Sequence, residues 1–296
     1  MTMQRDRKYR LTVGDYKSGN GVQFTTHQVS FDISKSSDNS KKSNSASIEI
    51  YNLSDATLKA LEVDYPAAIF EVSYESTNNL QVLFAGQVTN TSTRKQGTDR
   101  VTQLIMGTGY TELNHQTLNK LVPAGSTVKD VAEELVKAFP NISRGVYNGT
   151  NFNSKLINGY AISGTLKSQL DRLSQAYKLE WRIDKDTLYI NDKSRAATEN
   201  FATAFVISPS TGLIEIPYYT SGDARRTVDD NVKRQSVQFS MLINPNIIAG
   251  DIIKLEDTAI TGWYKVDECR YSGSWRDGSW LQEIMGSAIE QVQKKV

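Results

Sequence analysis

Apolar residues recur at every second position through most of the first 116 residues. Leu11 and Val13 alternate with polar neighbours, and so do Val29, Phe31 and Ile33. The alternation continues through Ile48 and Ile50, then Phe70, Val72 and Tyr74, then Val82, Phe84, Gly86 and Val88, and ends in the run Val101 to Met106. A period of two buries one face of a strand and wets the other, so this region predicts antiparallel β-structure. A short helix is expected over Leu53 to Leu61, opened by Ser54 and Asp55. Lys35 to Ser47 is mostly Ser, Lys and Asn with no apolar anchor, and is expected to be a mobile loop.

The period changes between about Leu121 and Asp192. Thr127 followed by Asp130 matches a capping box, after which Val128, Val131, Ala132, Leu135 and Phe139 fall at helical spacing until Pro140 stops the run. Leu166, Leu170, Leu173 and Tyr177 predict a second helix. Leu179, Trp181 and Ile183 then alternate, Asp184-Lys185-Asp186 turns the chain, and Leu188 and Ile190 alternate back as a hairpin. The middle therefore reads as a small α+β module set between β-regions.

From about Phe201 the strand period returns. Ser221 to Arg234 is charged and reads as a solvated linker. Val237, Phe239 and Met241 alternate, followed by Ile252, Ile253 and Leu255, then Tyr264 to Cys269, then Trp280 to Met285, with a polar tail from Ala288 to Val296. The two β-regions echo each other in order. Ser47-Ile48-Glu49-Ile50-Tyr51-Asn52-Leu53 precedes Gln103-Leu104-Ile105-Met106-Gly107-Thr108. Later, Ser236-Val237-Gln238-Phe239-Ser240-Met241-Leu242 precedes Gln282-Glu283-Ile284-Met285-Gly286-Ser287. Each closing strand follows a long polar hairpin, Thr89 to Arg100 in one and Tyr271 to Ser279 in the other. This points to a duplicated β-domain.

Composition narrows the chemistry. The chain of 296 residues is 39% hydrophobic and 23% charged, with 34 Lys and Arg against 33 Asp and Glu. That balance lacks the basic excess of a dedicated nucleic-acid binder. The charged start and the lack of a run of about 18 apolar residues predict neither a signal peptide nor a membrane-spanning helix. The single cysteine, Cys269, excludes an intramolecular disulfide and is expected in or near the core, in a chain made in a reducing compartment. His27 and His115 are far apart and lack ligand-like neighbours, so neither a metal nor another cofactor is expected. Gly125-Ser126-Thr127 and Gly273-Ser274-Trp275 are no nucleophile elbows, and Gly107-Thr108-Gly109-Tyr110 is no phosphate loop. The pairs Glu133-Glu134, Asp229-Asp230, Arg225-Arg226 and Lys41-Lys42 read as solvated charge, and Trp263, Trp275 and Trp280 as core or interface rings. No catalytic residue emerges.

One further pattern lies in the order of several short motifs. Leu242-Ile243-Asn244-Pro245 is followed by Gly250-Asp251-Ile252-Ile253-Lys254-Leu255, then Gly262-Trp263-Tyr264-Lys265-Val266, then Trp280 beyond a polar hairpin. With Ala46 to Leu53 and Phe84-Ala85-Gly86-Gln87-Val88, this order resembles the baseplate hub proteins of phage and phage-like contractile tails, of the tail protein D type. Arg270-Tyr271-Ser272-Gly273-Ser274 departs from it, since relatives often place a His and a Gly-Asp pair there.

The resemblance implies a mainly β fold with two related, tail-tube-like β-barrel domains, residues 1–116 and 201–296, flanking a small helix-plus-hairpin module, residues 117–200. It also implies a non-enzymatic homotrimer that joins a sixfold tail tube protein to a trimeric spike protein among other baseplate proteins. DNA would meet it only in passage, and it would reside in the virion baseplate after assembly in the host cytoplasm. The polar loops are then expected to order against neighbouring subunits or the tube, with Lys35, Lys41, Lys42, Arg94, Lys95, Arg225, Arg226 and Trp275 as candidate contacts. Two alternatives remain: a tube initiator or terminator on the same fold, and a hub that binds or hydrolyses peptidoglycan. A single barrel would favour the first, and a pocket with two carboxylates at catalytic separation the second.

Overall fold

The alternating stretches at both ends of the chain join in one antiparallel system. The computed structural model describes residues 6–15, 20–62, 66–74, 79–139, 141–193, 204–220, 236–276 and 278–289. The first region supplies β1 (Arg7–Asp15), β2 (Asn20–Phe24), β3 (Val29–Ser36), β4 (Ser45–Tyr51), β5 (Ala67–Tyr74), β6 (Gln81–Gln96) and β7 (Asp99–Gly107). A helix, α1 (Asp55–Ala60), is capped by the Ser54 side chain, which accepts from the Thr57 N–H. Along β3 and β4 burial alternates as the sequence does. Val29, Phe31 and Ile33 are buried beside Ala46, Ile48 and Ile50, with Phe31 opposite Ile48.

The middle folds around a core of its own. A short helix, α2 (Tyr110–Asn114), leads into β8 (Thr117–Val122), α3 (Val128–Ala138), β9 (Ser143–Asn148), β10 (Tyr160–Thr165), α4 (Leu166–Tyr177), β11 (Leu179–Asp184) and β12 (Thr187–Asp192). The expected capping box is present: Thr127 N–H donates to Asp130 at 2.7 Å, and Asp130 N–H donates back to the Thr127 hydroxyl at 3.3 Å. Leu135, Leu170, Trp181 and Leu188 pack in one cluster. The β11–β12 turn puts Lys185 and Asp186 at φ 49° and 58°, the left-handed pair of a two-residue hairpin made without glycine. The sequence missed β8, β9 and β10, whose exposed faces carry few apolar side chains.

The last region supplies β13 (Phe205–Ile207), β14 (Tyr218–Thr220), β15 (Ser236–Leu242), β16 (Ile252–Glu256), β17 (Thr261–Ser274) and β18 (Trp280–Ala288). These strands and β1 to β7 form a 13-stranded sheet, continuous across the junction between β17 and β3. One hydrophobic cluster spans both regions; Phe31 meets Trp280 edge-on at 5.0 Å, and Ile33 lies opposite Tyr271. The protein is mainly β with an antiparallel sheet, as expected. Separate closed barrels are not what the ladders trace: among the described residues the path runs open from β14 to β2.

Within that sheet one order occurs twice. The first region pairs as β3-β4-β7-β6-β5 and the last as β14-β15-β18-β17-β16, every pair antiparallel and every strand in the same chain order. The long strand of each set also carries a register shift, between Val88 and Asn90 in β6 and between Val266 and Glu268 in β17. Strand equivalence is therefore clear, but the residue echo read from sequence slips. Ile48 faces Leu104, whereas Val237, its counterpart in the echo, faces Gly286 and not Glu283.

Candidate assembly surfaces

The polar tract after β3 is not a mobile loop. Lys35, Ser36, Ser37, Asp38, Asn39 and Asn44 are buried, because the tract lies between the sheet and the middle module. Ser37 N–H donates to Asp267 O at 2.8 Å on the sheet side. On the module side Asn39 N–H donates to Trp181 O at 2.6 Å, its side-chain oxygen accepts from Ile183 N–H at 2.9 Å, and Asn44 donates to Ile183 O at 2.8 Å. The Lys35 ammonium meets Asp184 at 2.7 Å, with both side chains almost wholly enclosed. Lys35, named as a candidate contact, thus spends its charge inside the chain.

A second buried pair, Lys265 with Glu180, joins β17 to β11. Burial pushes the Glu180 carboxyl up to about 7, in opposition to the ammonium beside it. Burial also acts on Asp184, but Lys35 outweighs it and holds that carboxyl below the usual range. Between them lies Arg182, fully buried, its guanidinium 4.4 Å from the Tyr189 ring centroid. Its Nε and Nη1 have no hydrogen-bond partner among the described residues. Gly250, at φ +93°, leaves the space this guanidinium occupies.

The other candidates divide. Lys41 and Lys42 are exposed; Lys41 lies 3.6 Å from Asp38, and Lys42 lies 3.0 Å from Glu268 on β17. Arg94 and Lys95 stand exposed on the outer half of β6, where Arg94 reaches Glu49 at 2.6 Å. Arg225 and Arg226 lie outside the described residues, as does the charged stretch around them. Trp275 is half-buried and built into the fold: its indole N–H donates to Arg7 O at 2.9 Å and its ring meets Tyr9 edge-on at 5.3 Å. With Asp6, Arg7, Arg276 and Gly278 it lines a small polar cleft open to solvent.

No group of three or more His, Cys, Asp or Glu side chains converges as a metal site among the described residues. No helix there is long and apolar enough to cross a membrane. Cys269 is buried, and burial pushes its thiol up to about 12, far from a reactive thiolate. Glu134 is held by Lys120 and Lys137, and Glu133 lies 3.5 Å from Arg144, so that pair is engaged locally.

Sequence reasoning missed several exposed apolar side chains: Phe205 and Val206 on β13, Ile214 and Ile216 after it, and Tyr218 and Tyr219 on β14. The only available signal was Ile214, Ile216 and Tyr218 alternating without a buried counterpart nearby, which reads as an ordinary strand.

Comparison with known proteins decides the family. The profile described as Baseplate hub gp41 matches residues 13–281. The chain belongs to this baseplate hub family. The hub chain also resembles solved structures at low identity. The tail protein from Neisseria meningitidis MC58 is 14% identical, with 95% of this chain and 96% of that chain covered and a TM-score of 0.64. The 43 kDa tail protein of prophage MuSo2 from Shewanella oneidensis is 11% identical, with 95% and 98% covered and a TM-score of 0.63. The E. coli c3393 protein, described as a type VI secretion system component similar to T4 tail proteins gp27 and gp5, is 10% identical, with 90% and 74% covered and a TM-score of 0.61. At these identities the likeness is one of fold. No curated protein sequence gives a significant match.

In the hub chain the residues that carried the resemblance have structural work. Asn244 N–H donates to the Gln282 side chain at 3.0 Å, and Ile247 O accepts from Tyr271 at 2.8 Å and from Gln282 at 3.1 Å. Lys265 of the Gly-aromatic-Lys-Val stretch ties the sheet to the module. Arg270 to Ser274, where the pattern departs, lies within the stretch of β17 that pairs with β3, Glu268 to Ser274.

Proposed function

We propose that three copies of this hub chain form the adaptor between a sixfold tail tube and a trimeric spike, lining the path that DNA takes on ejection. The observation that carries this reading is the strand order repeated in the first and last regions. A trimer of a chain with two like units offers six like faces in one direction while keeping a threefold axis in the other. In that assembly residues 1–116 and 201–296 act as two tube-like β-units of one sheet, and residues 117–200 ride as the module between them.

The likeness of a related structure to T4 tail proteins supports this placement. The role is structural rather than enzymatic, filled in the virion baseplate after assembly in the host cytoplasm. A formal net charge of +1 suits passage of DNA, since a strongly basic wall would hold the strand through counterion release. Lys41, Lys42, Arg94, Lys95, Arg225, Arg226 and Trp275 remain candidate contacts to neighbouring subunits, tube, spike or other baseplate proteins.

Counting copies of the 33.0 kDa chain in purified tails by quantitative mass spectrometry against the tube and spike proteins tests the reading. Three per tail is expected. Six copies, or one, would overturn it.

A further inference from the structure

The hydrophobic clusters of the sheet and of the middle module share no side chain. The contacts that cross from one body to the other are polar. Asn39 N–H donates to Trp181 O, the Asn39 side-chain oxygen accepts from Ile183 N–H, and the Asn44 amide donates to Ile183 O. β11 is the end strand of its sheet, so two asparagines stand along its outer edge in place of a neighbouring strand. At a second contact Gln87 of β6 accepts from Thr111 N–H of α2 at 2.7 Å. The ion pairs of Lys35 with Asp184 and of Lys265 with Glu180 span the same boundary.

A boundary of this chemistry holds less firmly than either core. A buried ion pair is a weak stabiliser, because both charges give up water to gain each other. Arg182 makes the balance worse. It is fully buried against Gly250 of the sheet region, and its Nε and Nη1 have no hydrogen-bond partner among the described residues. Separation returns water to that guanidinium, a gain available only to the open state. It leaves both hydrophobic clusters whole. The chain enters the module through Thr108 and Gly109, and Gly109, at φ +57°, sits in the region that glycine adopts freely. One such residue can absorb the rotation of a hinge.

We infer that the middle module leaves the sheet as a body while both cores stay folded, with Asn39 and Asn44 as the latch and Gly109 as the hinge. The inference goes beyond the adaptor reading and does not depend on it. Polar boundaries between bodies within one chain permit relative motion, and proteins open in cooperative units of this size. In the open state the outer edge of β11 and the polar tract are both uncovered.

Protons bias the latch through Glu180. Lys265 and Asp267 face it from β17, Asp38 faces it from the tract, and Arg182 lies on its own strand. In the docked state burial pushes its carboxyl up to about 7, and in the open state the group returns to the ordinary carboxylate range. Proton binding therefore favours docking. That contribution is full below about pH 4.3 and is lost as pH rises through 7. Asp251, raised first by burial and set near Arg182, Asp184 and Lys35, acts in the same sense.

Residue-resolved hydrogen exchange of the full chain tests the inference. The Ile183 and Thr111 amides take partners across the boundary at separate places, one in the tract and one on β6. Both should open with one equilibrium constant, equal within about threefold and at least about a hundredfold larger than that of Leu170 in α4 or Leu104 in β7. Asn39→Ala should raise the constant at least about tenfold at Thr111, which Asn39 does not touch, and leave Leu170 and Leu104 unchanged. Between pH 5 and pH 8 the constant at Ile183 and Thr111 should rise, and the rise should be shallower in Glu180→Gln, which keeps an acceptor for Lys265. Opening at Ile183 with Thr111 as protected as the cores, or an Asn39→Ala effect confined to Ile183, would reduce the event to loosening of the tract and overturn the inference. Opening of all four amides together would overturn it as well, and an opening constant that ignores pH would overturn the proton bias.

Discussion

Lys35, Glu180 and Arg182 show how charge is used inside this hub. Each lies where the module meets the sheet, so each has lost its water and depends on partners. Removing one member of a buried ion pair leaves the other charge uncompensated, at a cost of about 3–5 kcal/mol. Lys35→Ala should therefore destabilise the chain by about that much in urea unfolding, and a Lys35→Met/Asp184→Leu double variant should recover most of the loss. Equal stability of the single variant and the parent would show that Asp184 is solvated.

The sign of the pH dependence is set by Glu180. Its folded pKa, about 7, lies above the ordinary carboxylate value, so its contribution to stability is full below about pH 4.3 and is lost as pH rises through 7. Asp251, raised first by burial, acts in the same direction. In Glu180→Gln the fall in Tm between pH 5 and pH 8 should be shallower than in the parent, as thermal scans across that window will read. Gly250 is constrained from two sides, by its left-handed backbone and by the Arg182 guanidinium. Gly250→Ala should cost about 1–3 kcal/mol.

At the scale of elements, the polar tract between β3 and β4 sets the position of the module. Asn44 accepts from Ser36 N–H at 2.8 Å and donates to Ile183 O, so Asn44→Ala leaves two buried backbone groups without partners, at about 1–3 kcal/mol each. Hydrogen exchange should then report faster exchange at the β11 edge and unchanged exchange in β4 and β7. Uniform acceleration across the chain would contradict a local role for the tract.

The helices and the β11–β12 hairpin were legible because their signals are local: a capping box, a helical apolar period, a two-residue turn. The tract was misread because Ser, Asn and Lys carry no apolar signal, and their partners are backbone groups of Trp181 and Ile183 far along the chain. The same limit hid the charge network, since Lys35 with Asp184 and Lys265 with Glu180 come together only through the tertiary fold. Trp275 was legible as an aromatic anchor, but its partners, Arg7 and Tyr9, lie at the opposite end of the sequence.

At the scale of the molecule, one strand order recurs in the first and last regions of a single sheet. The sequence pointed to two corresponding β-regions; the strand order repeats in the two, while the residue echo slips in register. Strand topology is fixed by which edges can pair, whereas register follows each region's own side-chain packing. Among the described residues the sheet path ends on β14, which carries exposed Tyr218 and Tyr219, and on β2, and the outer half of β6 with Arg94 and Lys95 is paired on one side only. Open edges invite pairing with another chain. Cryo-electron microscopy of intact tails, reconstructed at the hub with threefold symmetry, tests this most directly. The prediction is three chains whose first and last β-regions alternate at sixty-degree steps around the channel, facing the tube alike. A ring in which only one of the two regions meets the tube would contradict it.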